Sequence, residues 1–332
     1  MKKYTLGLVA SAVTALSASA AFAESHGEIT VAYFLEWPMP MMAAKASGAY
    51  DEALGMKVNW VSFETGVAMS AAMASGDVQI ALSQGLPPFV VATSGGQDLQ
   101  LVDVAVSYAE NQGCAVHKDL EIDLASAGEL AGKKVAVPLG TAAHYSFIRQ
   151  MDHFGVPLDS LQIVDMPPPE GANALAQKAV DFACGYGGGW ARMQEVGDVL
   201  LDGPAKQEIG ILVFDVTSVP ASFAAENGDT LAKFLKVTAD ANAEWAANPS
   251  EEMLAVIAEQ AGMDLEAARS AISTMSFPSI EDQLSEAWLG GTAAPFMKGV
   301  ADVFVEAGSI DSALDSYEGA LNTAPLEAAK GM

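Results

Sequence analysis

The sequence predicts an α/β protein built as two lobes, and three observations carry the prediction. Short β-rich runs alternate with helix-forming stretches from residue 29 to about residue 216. Small or glycine residues recur between strand ends and helix starts. Beyond Pro220 the pattern turns to helices alone. Alternation of this kind builds mostly parallel sheets with helices on both faces.

The chain opens with Met1-Lys2-Lys3, a mostly apolar run from Tyr4 to Ala18, and Ala21-Phe22-Ala23. This is the form of a cleavable secretory leader, with residues 1–23 removed and Glu24 as the new N-terminus. The apolar run is shorter than the roughly 20 residues that span a bilayer, and no later stretch is long and apolar enough to do so. No cysteine stands at the cleavage site to take a lipid. A periplasmic protein not embedded in the membrane is expected.

The remainder suffices for two lobes at roughly 100 to 200 residues per domain. The formal charge is −26, and losing Lys2 and Lys3 makes it two units more negative. Such a surface repels phosphate backbones, which argues against nucleic acid and otherwise serves solubility.

The first series runs through a strand at Ile29–Tyr33, the loop Phe34 to Pro40, a helix at Met41–Tyr50 and a strand at Val58–Phe63. It continues with a helix at Ala68–Ala74 ended by Gly76, a strand at Gln79–Leu82, the turn Gln84 to Pro88, a helix through Ala92 and a strand at Leu99–Ala105. The second series contains strands at Cys114–His117, Val135–Pro138, Gln162–Asp165, Phe182–Cys184 and Gly210–Val216. Its helices are expected from Ala142 to Phe154 and, after Pro167-Pro168-Pro169, near Asn173–Ala179. Helices then follow at Thr230–Ala247, stopped by Asn248-Pro249, at Ser250–Ala261, and at Pro295–Ala307. These should pack on the first lobe, giving lobe 1 as 24–108 with 217–332 and lobe 2 as 109–216. Two crossings, near 106–113 and 215–220, suit a hinge.

Enzyme signatures are missing. There is no G-x-S-x-G elbow, H-E-x-x-H pair or Walker loop, and Gly185 to Gly189 is no dinucleotide fingerprint because Trp190 stands where the last glycine belongs. Cys114 and Cys184 with four scattered histidines assemble no zinc set. In an exported chain the two cysteines read equally as a disulfide or as buried thiols. No cofactor or metal is called for, and nothing points to catalysis.

The strand-to-helix turns Ser83-Gln84-Gly85, Leu139-Gly140-Thr141-Ala142 and Gly185–Gly189 should line a crevice at the carboxyl ends of the strands. Their helix-start N–H groups suit an anion. Thr141 is a helix cap, and His144 reads equally as an anion donor or a packing residue. Asp215 interrupts the apolar run 211–214, where an unpaired carboxylate is costly. It reads as the partner of a cation, as half of a salt bridge or as a solvent-exposed strand end. Phe34, Trp37, Tyr186 and Trp190 flank the same crevice as cation–π candidates, Tyr33 reads as core, and Glu36 is a candidate for an amine.

Several segments carry a resemblance: Val58-Asn59-Trp60, Phe63, Thr65-Gly66, Ala74 to Ile80, Leu130 to Pro138, Thr141 to Ser146, Val164 to Pro168 and Leu212 to Val216. Together they resemble the ABC-transporter substrate-binding proteins of the taurine/nitrate/aliphatic-sulfonate family, closest to its taurine-binding members. The resemblance covers nearly all of the chain after the leader. It implies a type II periplasmic-binding-protein fold, a monomer whose lobes close on a small zwitterionic ligand, taurine first, and delivery to an ABC permease with its ATPase subunit. It also implies Asp215 at the amine, Gln84-Gly85 and Thr141-Ala142 at the sulfonate, and Tyr186 as the aromatic after the Asp181 strand. Two segments depart from the family pattern: Phe34-Leu35-Glu36-Trp37, in place of a smaller and more polar loop, and Gly187-Gly188-Gly189-Trp190. These keep another small zwitterion or an alkanesulfonate as the alternative ligand. The same fold also serves a thiamine-precursor pyrimidine synthase, whose cluster of cysteines and histidines this chain lacks.

Overall fold

Sidedness and chain direction sort the strands into two sheets in the computed structural model, which describes residues 27–332. The leader therefore lies outside the described residues. In chain order the strands are β1 (Glu28–Phe34), β2 (Lys57–Phe63), β3 (Ile80–Gly85), β4 (Leu99–Tyr108), β5 (Gln112–His117), β6 (Lys134–Val137), β7 (Gln162–Asp165), β8 (Phe182–Tyr186), β9 (Gly197–Val199), β10 (Phe214–Pro220) and β11 (Met275–Ser276). The first sheet has the order β11-β4-β10-β3-β1-β2 and the second β7-β6-β8-β5-β9.

Both sheets are mixed, where mostly parallel sheets were expected. The parallel pairs are β1 with β2 and β3, and β6 with β7 and β8. Antiparallel strands enter where the chain passes between sheets: β5 runs against β8 and β9, and β10 against β3 and β4. A strand that arrives from the other sheet enters from the facing edge, so it runs opposite to its neighbours. The strand expected at 210–216 in the second series is thereby corrected. It begins at Phe214 and lies inside the first sheet, with Asp215 opposite Gly85 and Val106. Residues 211–213 span the gap, with Leu212 left 45% exposed between buried Ile211 and Val213.

The helices follow local chemistry closely. The helix Ala142–Phe154 has Thr141 as its cap and Gly155 in the left-handed region after it. The expected helix over 41–50 is broken at Gly48, whose φ of 77° ends Met41–Ser47 before Ala49–Leu54 begins. Prolines expected in turns instead sit in first helical turns, at Leu86–Ser94 and Pro168–Ala176, where their missing N–H has no intrahelical partner to lose. Gln84 and Gly85 consequently finish β3 rather than form a turn. The glycine-rich run opens the helix Gly187–Val196.

The main core packs around the first sheet, where the Tyr50 ring lies 4.8 Å from Phe234 and 5.1 Å from Trp60 between ring centroids, and continues onto the second sheet through Val116, Val135, Val137, Phe147 and Phe182. A smaller core around Leu175, Trp190 and Met193 packs against the second sheet's Ala115, Ala136 and Ala183. No helix among the described residues is long and apolar enough to cross a membrane.

Cys114 and Cys184 stand directly opposite each other on β5 and β8 and form a disulfide, which decides between the two readings of these cysteines. Closing a loop over a separation of 70 residues restricts the unfolded chain. The Cys114→Ser/Cys184→Ser double variant should lose about 2–4 kcal/mol of stability in equilibrium denaturation. Stability within error of the parent would show that the bond contributes little.

Candidate functional site

Strand ends gather at the gap between the sheets. β1, β3, β4 and β8 terminate there at Phe34, Gly85, Tyr108 and Tyr186, and β10, running the other way, begins there with Phe214-Asp215. A small cavity is lined by Phe34, Trp37, Gly66, Gly85, Pro88, Tyr108, Thr141, Ala142, Tyr186 and Asp215. Both sheets contribute, so the cavity exists only where the two approach.

Asp215 is the chemical centre of this cavity. Its side chain is buried, and both oxygens accept from hydroxyls: Ser83 Oγ donates to Oδ2 at 2.7 Å and Tyr108 Oη to Oδ1 at 2.8 Å. No basic side chain among the described residues forms an ion pair with it. Burial pushes the carboxyl up to about 7, against the opposing pull of the two hydroxyls. Trp37 Nε1 donates to Ser83 Oγ at 3.0 Å, and its ring meets Tyr108 edge-on at 4.8 Å. Ser83 holds φ at 62°, a conformation a serine adopts at a cost of about 1–3 kcal/mol. That conformation aims the hydroxyl at the carboxylate.

Two helix starts from different sheets face the cavity. At Gly66–Ser75, Thr65 caps by accepting from Ala68 N, and Gly66 lines the wall, where a Cβ would come within 2.6 Å of Pro88 Cγ. At Ala142–Phe154, Thr141 donates to Pro138 O at 2.7 Å, which fixes the approach of the loop. The first bond back along this helix is Tyr145 N to Thr141 O, so the amides of Ala142 and Ala143 precede it. A cationic partner at Asp215 and an anionic one at the helix starts match this arrangement. The aromatic faces of Phe34, Trp37 and Tyr186 enclose the space between.

The structure brings together seven of the expected residues: Phe34, Trp37, Gly85, Thr141, Ala142, Tyr186 and Asp215. Four lie outside the wall. Glu36 accepts a two-pronged bond from Arg192, at 2.7 and 3.1 Å, and so answers a guanidinium from the other sheet rather than an amine in the cavity. Gln84 turns its amide away from the cavity, donating to Gly66 O and Ser70 Oγ and accepting from Ser218 Oγ. It braces the Gly66 helix start from behind. His144 accepts from Gly140 N at 3.1 Å and stacks on Phe304 at 5.3 Å; burial pushes it down to about 4, so it is a neutral packing residue. Trp190 belongs to the smaller core and donates to Glu110 O at 2.8 Å. Tyr33 packs edge-on against Trp60, as core.

Gly66, Pro88 and Tyr108 went unnamed as site residues, and Ser83 was named only as part of its turn. Tyr108 lies within the expected crossing at 106–113, where an aromatic hydroxyl was the available signal. The Thr65-Gly66 helix start offered another.

The family described as NMT1/THI5 like matches residues 38–252. The chain is 28% identical over 229 residues to the taurine-binding periplasmic protein of Escherichia coli strain K12, spanning 69% of this chain and 70% of the relative. Among solved structures, the periplasmic aliphatic sulphonate binding protein SsuA from Escherichia coli superposes with a TM-score of 0.67 at 21% identity, covering 87% of this chain and 95% of that one. The desulfurization enzyme DSZB shares the fold as well, with a TM-score of 0.62 at 13% identity, covering 92% of this chain and 99% of the enzyme. The fold is thus that of periplasmic binding proteins.

The buried carboxyl makes a prediction for the empty protein. Its folded value lies above its unfolded value near 3.8, so its contribution to stability is full below about 4 and is lost as pH rises toward about 7. The loss is about 1.4 kcal/mol per pH unit within that window. Asp215→Asn should therefore become more stable relative to the parent as pH rises from 5 to 8, read as melting temperatures at each pH. Parallel pH profiles for the two proteins would mean that the carboxyl ionises at its ordinary value.

Proposed function

We propose, on the premise that this chain belongs to the NMT1/THI5-like family, that it is the solute-binding component of an ABC importer and captures taurine or a closely related small zwitterionic sulfonate without changing it. The observation that carries this reading is the buried Asp215 carboxylate, with two hydroxyl donors and no basic partner among the described residues, facing the same cavity as two helix starts. An ammonium supplies the missing positive charge, and a sulfonate takes the amides at the other end. The 28% identity to a taurine-binding protein supports taurine as the first choice within this chemical class.

In this reading the protein acts in the periplasm as a monomer after losing residues 1–23. Residues 24–108 with 217–332 form one lobe and 109–216 the other, with β10 entering the first sheet at the boundary. Binding closes the lobes to the extent that the ligand contacts the closed form better than the open one. The closed surface is what the permease and its ATPase subunit receive. Tyr186 Oη donating to Glu64 O at 2.8 Å and Arg192 donating to Glu36 link residues from the two sides of the cleft and support such a closure. Capture rather than catalysis is supported by the pairing of both cysteines with each other, which leaves neither as a nucleophile.

Calorimetry with taurine and with ethanesulfonate, which has no amine, tests the reading. Taurine should bind the parent, and Asp215→Ala should weaken it about 100-fold, in keeping with the cost of breaking a buried charge pair. Ethanesulfonate should not lose affinity in that variant. Since an ammonium needs the ionised carboxylate, taurine affinity should be full above about pH 7 and fall by up to tenfold per pH unit below it. Equal taurine affinity in parent and Asp215→Ala would remove Asp215 from the site.

A further inference from the structure

The gap between the lobes is divided in two. The small inner cavity and a larger outer pocket share three wall residues, Phe34, Trp37 and Tyr186. Phe34 ends β1 in the first sheet and Tyr186 ends β8 in the second, and their ring centroids are 5.9 Å apart at a tilt of 52°. We infer that Phe34 and Tyr186 form a partition across the cleft that sets the upper size of the captured ligand, which makes them its specificity-determining residues. This rests on the reading of the inner cavity as the ligand site.

The partition is clamped from both sides. The Tyr186 phenol donates to Glu64 O, which fixes its ring against the first lobe. Two residues beyond Phe34, Glu36 holds φ at 52°, donates its backbone N–H to Ala261 O at 2.8 Å and receives the Arg192 fork. Gly188 leaves room for that carboxylate, which would collide with any Cβ at the position. Residues from both segments that depart from the family pattern, Phe34, Glu36 and Trp37 in one and Gly187 and Gly188 in the other, therefore meet in one construction. Held this way, the two rings cannot swing aside without breaking contacts between the lobes.

The two compartments differ in chemistry. The inner one presents Asp215 and the helix starts. The outer one is lined by Leu35, Ser62, Glu64, Pro168 and Pro169, with Glu36 already committed to Arg192. A zwitterion that fits inside satisfies both charged ends there. One with further methylenes must push a ring toward the outer pocket, and a poorly fitting methylene costs roughly 10- to 200-fold in discrimination.

The test is calorimetry of the aminoalkanesulfonates with two, three and four carbons against the parent, Phe34→Ala and Phe34→Leu. The parent should bind the four-carbon member at least tenfold more weakly than the two-carbon one. Phe34→Ala, which joins the compartments, should shrink that ratio by tenfold or more, with Phe34→Leu between. Should Phe34→Ala fail to fold by circular dichroism, Phe34→Leu, which retains most of the apolar bulk, carries the test. A parent that binds the series without regard to length, or a ratio unchanged in the folded variants, overturns the partition while leaving the function standing. A parent that binds no member of the series overturns the proposed ligand class, and the inference with it.

Discussion

A carboxylate buried without a counter-charge is the constraint around which the rest of this molecule is arranged. Removing Asp215 from water is costly, and two hydroxyls recover only part of the lost hydration. Placing those hydroxyls requires a serine in the left-handed region, a tyrosine at the end of β4 and a tryptophan to hold the serine oxygen. Folding tolerates this because the surrounding strands of the first sheet fix Asp215 in register opposite Gly85 and Val106. Stability is spent at one atom group to hold a carboxyl buried beside two hydroxyls and no basic side chain among the described residues.

The topology puts that carboxyl at the edge where the two sheets meet. Parallel strands bring their carboxyl ends, and the helix starts that follow, to one side of each sheet. Antiparallel β10 brings its own beginning to that side, so an acid from a strand start faces amides at helix starts from both sheets. The cavity is completed only by the approach of the two sheets, which meet through directed polar contacts at the cleft and through apolar packing of His144 and Tyr145 on Phe296 and Phe304. The Arg192–Glu36 pair is partly exposed, and such pairs are worth little individually. An equilibrium between open and closed arrangements of two lobes shifts by a ligand's preference for one state over the other.

Departures between expectation and structure have physical origins at particular residues. Gln84 reads as a crevice residue because it sits at a strand end, yet its side chain turns away from the cavity and braces Gly66. His144 stands in the first turn of the right helix, but the ring turns toward Phe304, a residue distant in sequence. Glu36 answers Arg192, which is 156 residues away. In each case the backbone position was legible and the direction of the side chain was not, since that direction is chosen by partners brought in from elsewhere in the chain.

What the sequence by itself determined is the alternation that yields two α/β lobes, the helix starts at Thr141-Ala142, the family resemblance and the anomalous acid at 215. These are local or periodic signals, written in adjacent residues and in spacings of a few positions. The tertiary structure alone decided that β10 belongs to the first sheet, that Cys114 and Cys184 join, that Tyr108 and Ser83 hold Asp215, and that Phe34 meets Tyr186 across the cleft. Each of those depends on which segments distant in the chain become neighbours, and that is settled by how the two sheets bury their faces and close on one another.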